Sequence, residues 1–351
     1  MSIFTMPWAR GVLAGAVVAL VATGCSSPAG TSSSSPTALT ESKTLTVITH
    51  DSFNLDDATK AKFAAETGYE VKYVAPGDAG TTVNQLVLTK DSPMGDVVYG
   101  IDNTFAGRAM DAGILSPYTA PTLPESAKAY ELGTAPQLTP IDHGEVCVNA
   151  DASWYKAKGL AVPKTLDDLT KPEYKGQLVV MNPASSSPGL AFLMATVAAK
   201  GDSGYLDYWK QLKANGVKVS GGWSDAYGND FTASSKGSYP LMVSYSSSPV
   251  DSPKAVVLTD TCFGQVEYAG VIAGAQNAVG AHKFIDFMLS QQVQAQIPEQ
   301  MYMYPVDSSV ALPASWATHA AKVEKPLTLP VADIDAGRVE WIKAWTATVI
   351  G

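Results

Sequence analysis

Glycines bracket two aromatic residues, an acid and a hydroxyl in the stretch Gly221-Gly222-Trp223-Ser224-Asp225-Ala226-Tyr227-Gly228. Glycine lets a backbone bend and approach another molecule closely, and the rings of Trp223 and Tyr227 offer flat faces on which a planar or cationic group stacks. The octet reads as one wall of a ligand site; a surface turn around a single core tryptophan is the other reading. Stretches of similar polar and aromatic character follow other apolar runs: His50-Asp51-Ser52-Phe53, Asp102-Asn103, Asn182 through Gly189, and Ser244-Tyr245 running into Ser248-Pro249. Ser185, Ser186 and Ser187 stand just ahead of a helical pattern. There, free N–H groups and the helix dipole form either an anion cradle or a plain N-cap.

Other chemistries lack their residues. The four histidines, His50, His143, His282 and His319, have no paired helical spacing and no cysteine partners, so no zinc site is expected. Ser153-Trp154-Tyr155-Lys156 fits a Ser-x-x-Lys nucleophile motif, but the Lys-Thr-Gly and Ser-Asp-Asn elements that accompany it are missing. No Gly-x-Ser-x-Gly elbow or phosphate-binding loop occurs. The chain is read as a binding protein that uses no cofactor, with a secreted enzyme of unusual chemistry as the runner-up. Its 24 basic and 33 acidic residues, a net charge of −9, leave no electrostatic footprint for nucleic acid and suit a cationic ligand.

The elements that would position these residues alternate between the two periods. Strands are expected over 45–49, 70–74 and 96–100, separated by helices over 55–67 and 82–90, which is a β-α-β arrangement and points to a parallel sheet. In open parallel sheets ligands bind beyond the carboxyl ends of the strands, where His50-Asp51-Ser52 and Asp102-Asn103 fall. Residues 143–149 read as a crossing strand between lobes. Further on come strands at 177–181, 217–220, 239–245 and 266–272, helices at 165–169, 190–200, 206–215, 281–289 and 291–297, and an aromatic turn at 301–306. A final amphipathic helix directs Val339, Ile342 and Trp345 inward. At 351 residues with 46% hydrophobic content, the chain has material for two lobes.

The amino terminus carries an export signal over 1–24. Arg10 precedes an apolar run at 11–21 that is too short for a membrane span, and Ala22-Thr23-Gly24-Cys25 resembles the bacterial lipobox. Cys25 is the expected lipidation site, and 25–43 is expected to be a Ser/Thr/Pro-rich tether holding the protein at the outer face of the cell membrane. Cys147 and Cys262 then remain as a pair in an exported chain. A disulfide is expected between them, two separate buried thiols being the alternative.

From about Leu45 to Trp345 the chain resembles the thiamine-binding proteins of bacterial ABC importers, within the periplasmic binding protein class. Asp51-Ser52-Phe53, Gly100-Ile101-Asp102-Asn103, Ser187-Pro188-Gly189-Leu190, Gly222 through Gly228, Ser244-Tyr245 with Ser248-Pro249, and Tyr304-Pro305-Val306 carry the resemblance. It implies an α/β, two-lobed type II fold, each lobe a mainly parallel sheet flanked by helices, with the ligand in the interlobe cleft. Lobe 1 would comprise 44–142 and 251–351, and lobe 2 would comprise 143–250. By the same resemblance Trp223 and Tyr245 pack on the rings of thiamine, and Asp102 or Asp225 offsets its positive charge. Ser186 and Ser187 receive its hydroxyl or phosphate end, while Asp51, Asn103, Tyr227 and Tyr302 complete the set. Tyr245 as core and Asp102 as a helix cap are the structural alternatives. The implied partners are the permease subunits of an importer with their ATPase, and the implied state is a monomer that meets the membrane through its lipid alone. The chain departs from the pattern at His50, where a tyrosine is usual, at Tyr302 in place of a tryptophan, and at Asp251 in place of an aromatic. A ferric ion, a polyamine or a phosphonate is the alternative cargo; iron would need Tyr245 and Tyr268 to converge.

Overall fold

The structure, a computed structural model, describes residues 39–134 and 136–351. The expected export signal, the lipidation site Cys25 and the tether as far as residue 38 lie outside the described residues. The end of the tether is bound to the folded body: Thr40 Oγ1 donates to the Ala275 carbonyl at 2.7 Å, and the Thr40 carbonyl accepts from Val279 N at 3.2 Å.

Ten strands form one mixed sheet: β1 Thr44–Ile48, β2 Glu70–Val74, β3 Val97–Asp102, β4 Leu115–Ser116, β5 Thr139–Asp151, β6 Leu178–Met181, β7 Lys218–Ser220, β8 Leu241–Tyr245, β9 Ala255–Ile272 and β10 Tyr304–Pro305. Its order is β2-β1-β3-β9-β5-β8-β6-β7, with β4 on β9 and β10 on β5. The outer strands pair in parallel, β1 with β2 and β3, and β6 with β7 and β8. Their connecting helices, Asp57–Thr67, Ala79–Leu88 and Ser187–Ala214, are the crossovers that parallel strands require. The first ends where expected, at Gly68, whose φ of 74° is the left-handed C-cap for which glycine carries no Cβ penalty.

The centre of the sheet is antiparallel, which corrects the expectation of mainly parallel lobes. β5 and β9 run in opposite directions through the whole molecule. Residues 264–272 of β9 face β3, β4 and the start of β5, whereas residues 255–258 accompany the end of β5 towards β8. β9 has apolar runs at its two ends, 255–258 and 266–272, but the polar residues Thr259, Asp260, Thr261 and Gln265 between them break the pattern, so the sequence reads only its tip as a strand. Cys147 of β5 and Cys262 of β9 are joined by a disulfide, where the ladder shifts register between Val146 and Val148. It ties the two crossing strands at the middle of the sheet.

Two apolar clusters flank this centre. One gathers Leu45, Val47, Phe63 and Phe284, and the other packs the Ser187–Ala214 helix around Trp209, whose ring meets Trp345 edge-on at 5.4 Å. That helix breaks at Gly201 (φ 69°, ψ 170°), so the two expected helices run on as one bent rod. In the final helix, Val331–Val349, Trp345 is fully buried as expected but Val339 is 59% exposed. Arg338 turns inward instead, its guanidinium 4.6 Å from the centre of the Phe105 ring, because a cation on an aromatic face tolerates burial that a bare charge does not.

Candidate functional site

A cavity opens where the ends of β1, β7 and β8 meet the middle of β9 and the 300–303 turn. One wall is aromatic. Trp223 and Tyr227 lie one turn apart after β7, with stacked rings 4.6 Å between centres, and Tyr245 at the end of β8 meets Trp223 at 66° and 5.9 Å. The wall is held from behind. Trp223 Nε1 donates to Ser244 Oγ at 2.9 Å, and Ser244 Oγ in turn pairs with Ser248 Oγ at 2.7 Å. Half-buried aromatics with a satisfied polar edge keep one orientation, which is what a stacking face needs.

The 300–303 turn contributes Met301, Tyr302 and Met303 to the lining. Tyr302, which lines the cavity, has φ 55°, uncommon for a residue with a side chain. Asp251 ties the two sides together, accepting from the Tyr227 hydroxyl at 2.7 Å and from the Tyr302 hydroxyl at 3.2 Å.

The floor is charged. Glu267, reaching up from β9, lies 3.5 Å from His50 Nε2, and both line the cavity while remaining 5% and 8% exposed. Beneath them, the hydroxyl of Tyr99 stands 2.9 Å from Glu267 Oε2 and 2.5 Å from Asp142 Oδ2. Burial would raise the Glu267 carboxyl, but His50 and the Tyr99 hydrogen bond outweigh it and hold the group below its usual range. Asp142, fully buried beside another carboxylate, is pushed well above.

A second polar network joins the two sides of the sheet next to this cavity. Asp78 caps the Ala79–Leu88 helix through Ala79 N at 2.7 Å, and the same carboxylate accepts from Ser187 N at 2.9 Å and Trp223 N at 3.0 Å. Beside it, Ser187 Oγ donates to Asp102 Oδ2 at 2.5 Å, while Asp102 Oδ1 accepts from Phe105 N and Thr104 N. Burial pushes the Asp102 carboxyl up to about 6.

The expected ligand residues therefore divide. Trp223, Tyr227, Tyr245 and Tyr302 line one cavity. Asp102, Asn103, Ser186 and Ser187 do not: Ser186 caps its helix by accepting from Gly189 N, and Asn103 bridges to Gly264 O and Val266 N of β9. Asp51 accepts from Ser224 at 3.1 Å at the exposed rim, and Asp225 is engaged by Ser220 and Asn229. Glu267 and Asp78 were not singled out by the sequence. Both are acids flanked by apolar residues, with nothing local to show that the two sides of the sheet converge on them. Among the described residues no cluster of three or more His, Cys, Asp or Glu is arranged to hold a metal ion. Tyr268, required for an iron site, is buried with its hydroxyl donating to the Tyr130 carbonyl at 2.9 Å, and it does not line the cavity.

The family model for bacterial extracellular solute-binding proteins matches residues 92–326. The chain is 31% identical over 323 residues to the thiamine-binding periplasmic protein of Salmonella typhimurium, covering 87% of this chain and 93% of that protein. Among solved structures it is similar to a periplasmic thiamin binding protein, with TM-score 0.75 and 28% identity over 87% of this chain and 96% of that one. A ferric binding protein from Campylobacter jejuni shares the fold at TM-score 0.70 and 19% identity, covering 87% of this chain and 99% of that one. These likenesses bear out the sequence resemblance and the two-lobed type II architecture.

Proposed function

The chain belongs to the bacterial extracellular solute-binding proteins, and from that premise we propose that it captures thiamine between its two lobes and hands it to an ABC importer. The observation that carries this reading is a single cavity lined both by the aromatic rings of Trp223, Tyr227 and Tyr245 and by two carboxylates, Glu267 and Asp251. Thiamine joins two flat rings, one of them permanently cationic. Aromatic faces attract such a ring through their quadrupoles, and a partly dehydrated carboxylate strengthens the attraction. The names of the relatives at about 30% identity point to the same solute.

The alcohol end of the ligand is favoured over its phosphates. The helix N-terminus that would bind a phosphate already has the Asp78 carboxylate on Ser187 N, and Asp102 holds the Ser187 hydroxyl. These two acids leave that helix end unsuited to a phosphate. In this reading the cargo is released unchanged, Cys25 carries the lipid that keeps the protein at the outer membrane face, and permease subunits with their ATPase receive the closed form. Closure follows from population shift, since a ligand touching both lobes favours the state in which they meet.

Calorimetric titration with thiamine, its mono- and diphosphate, spermidine and ferric citrate tests the assignment. Micromolar or tighter binding of thiamine, weaker binding of its phosphates, and no heat from the other two are expected. Heat from spermidine or ferric citrate without heat from thiamine would leave the family role and discard the vitamin.

A further inference from the structure

The cavity floor holds more acids than protons can satisfy by ordinary pairing. The Tyr99 hydroxyl lies within hydrogen-bonding distance of both Asp142 and Glu267, yet a phenol has one proton. It therefore donates to one carboxylate and accepts from the other, which must itself be protonated. Glu267 has His50 at 3.5 Å and faces the cavity, whereas Asp142 is wholly buried and its second oxygen has no partner. The proton belongs on Asp142. Asp142, which also contacts Glu267 directly, then donates within this group while Tyr99 donates to Glu267, leaving Glu267 as the anion and His50 as the group that answers it.

The His50 ring is fixed in that role. Its Nδ1 pairs with Ser52 Oγ at 2.9 Å, its face tilts against Tyr99 at 5.4 Å, and a side chain on Gly100, whose φ is 97°, would run into it. Nε2 aims at Glu267 and has no closer partner. The charged groups that face the ring are all acids: Glu267 from β9, Asp78 from the turn before the Ala79–Leu88 helix, and Asp51 from its own loop. Burial alone would favour the neutral ring, but these carboxylates outweigh it and His50 holds its proton to a higher pH than a free histidine.

We propose that His50 is a proton-exchanging counter-ion of the cargo: a cationic solute entering the cavity takes over the charge of Glu267 and drives the proton off His50. The inference rests on the reading that the cargo is a permanent cation, and it adds a regulation to that site. With His50 neutral, the lining carboxylates Glu267 and Asp251 face the solute uncompensated; with His50 charged, Glu267 is already paired. Proton and solute compete for one carboxylate. Affinity for the cation consequently rises with pH, by at most about tenfold per unit while the free protein holds the proton and the complex does not. A solute gathered at neutral pH is given up more readily in an acidified compartment.

The test is calorimetric titration of the protein with thiamine at pH 6.0 and pH 8.0, each in two buffers of different ionisation enthalpy. The expected result is proton release on binding that is larger at pH 6.0 than at pH 8.0, and a dissociation constant at least tenfold lower at pH 8.0. His50→Gln should lose both the proton release and the pH dependence, whatever its affinity. NMR titration of the His50 ring provides a reading that needs no cargo: its midpoint should lie above that of a free histidine and fall in Glu267→Gln. Thiamine heat that is independent of buffer and pH would overturn the coupling alone. Absence of thiamine heat at both pH values would overturn the cargo assignment and the coupling with it, and a ring that titrates identically in Glu267→Gln would remove the pair on which the coupling stands.

Discussion

At the scale of single residues, the site separates groups that touch the cargo from groups that hold them. Trp223 is both a face of the cavity and a knot in its wall, because its ring stacks on Tyr227 while Nε1 donates to Ser244. Trp223→Ala is expected to weaken thiamine binding by about 1–3 kcal/mol, through lost stacking and through the open space left beside Tyr227 and Tyr245. Equilibrium binding checks this, with circular dichroism to confirm that the variant is folded. Such residues are legible in a sequence: an aromatic between glycines announces a ring near a flexible backbone. Glu267 is not, since an acid inside β9 looks like any outward-facing strand position until the strand is known to run beneath a cavity. His50 stands out both at the carboxyl end of the first strand and as a departure from the resemblance, but its meaning depends on Glu267.

At the scale of elements, the account depends on how helix ends meet across the sheet. The serines ahead of the Ser187–Ala214 helix suggested an anion cradle or a cap, and the structure has both features with the chain's own carboxylate as the anion: Ser186 caps, and Asp78 sits on Ser187 N. Asp78 ties the two sides of the sheet together, since one carboxylate joins the Ala79–Leu88 helix to Ser187 and Trp223. Asp78→Ala removes the N-cap acceptor of Ala79 N in any state, and where the two sides meet it also leaves Ser187 N and Trp223 N without an acceptor. It should weaken thiamine binding by about 1–3 kcal/mol without altering the solute preference, and small-angle scattering should find the ligand-bound variant more expanded than the wild type. An unchanged affinity would remove Asp78 from the closing contacts. The parallel β-α-β segments of this arrangement were readable from alternating periods. The antiparallel pairing of β5 with β9 was not, because strand partners distant in sequence leave no local trace and polar residues at 259–261 and 265 interrupt β9 in its middle.

At the scale of the molecule, the two crossing strands, tied through Cys147 and Cys262, let two α/β halves share one sheet while their loop ends face each other over the cavity. This geometry explains why an aromatic wall from 223–245, an acid from β9 and a histidine from the end of β1 reach one place although they are far apart in the chain. The net charge of −9 is in keeping with the proposed cationic cargo. The measurement that tests the central claim most directly is a crystal structure of the protein with thiamine. Thiamine density against Trp223, Tyr227 and Tyr245, with its cationic ring facing Glu267 or Asp251, is the predicted result. Thiamine bound at the Ser186–Ser187 helix end, or outside this cavity altogether, would contradict the account.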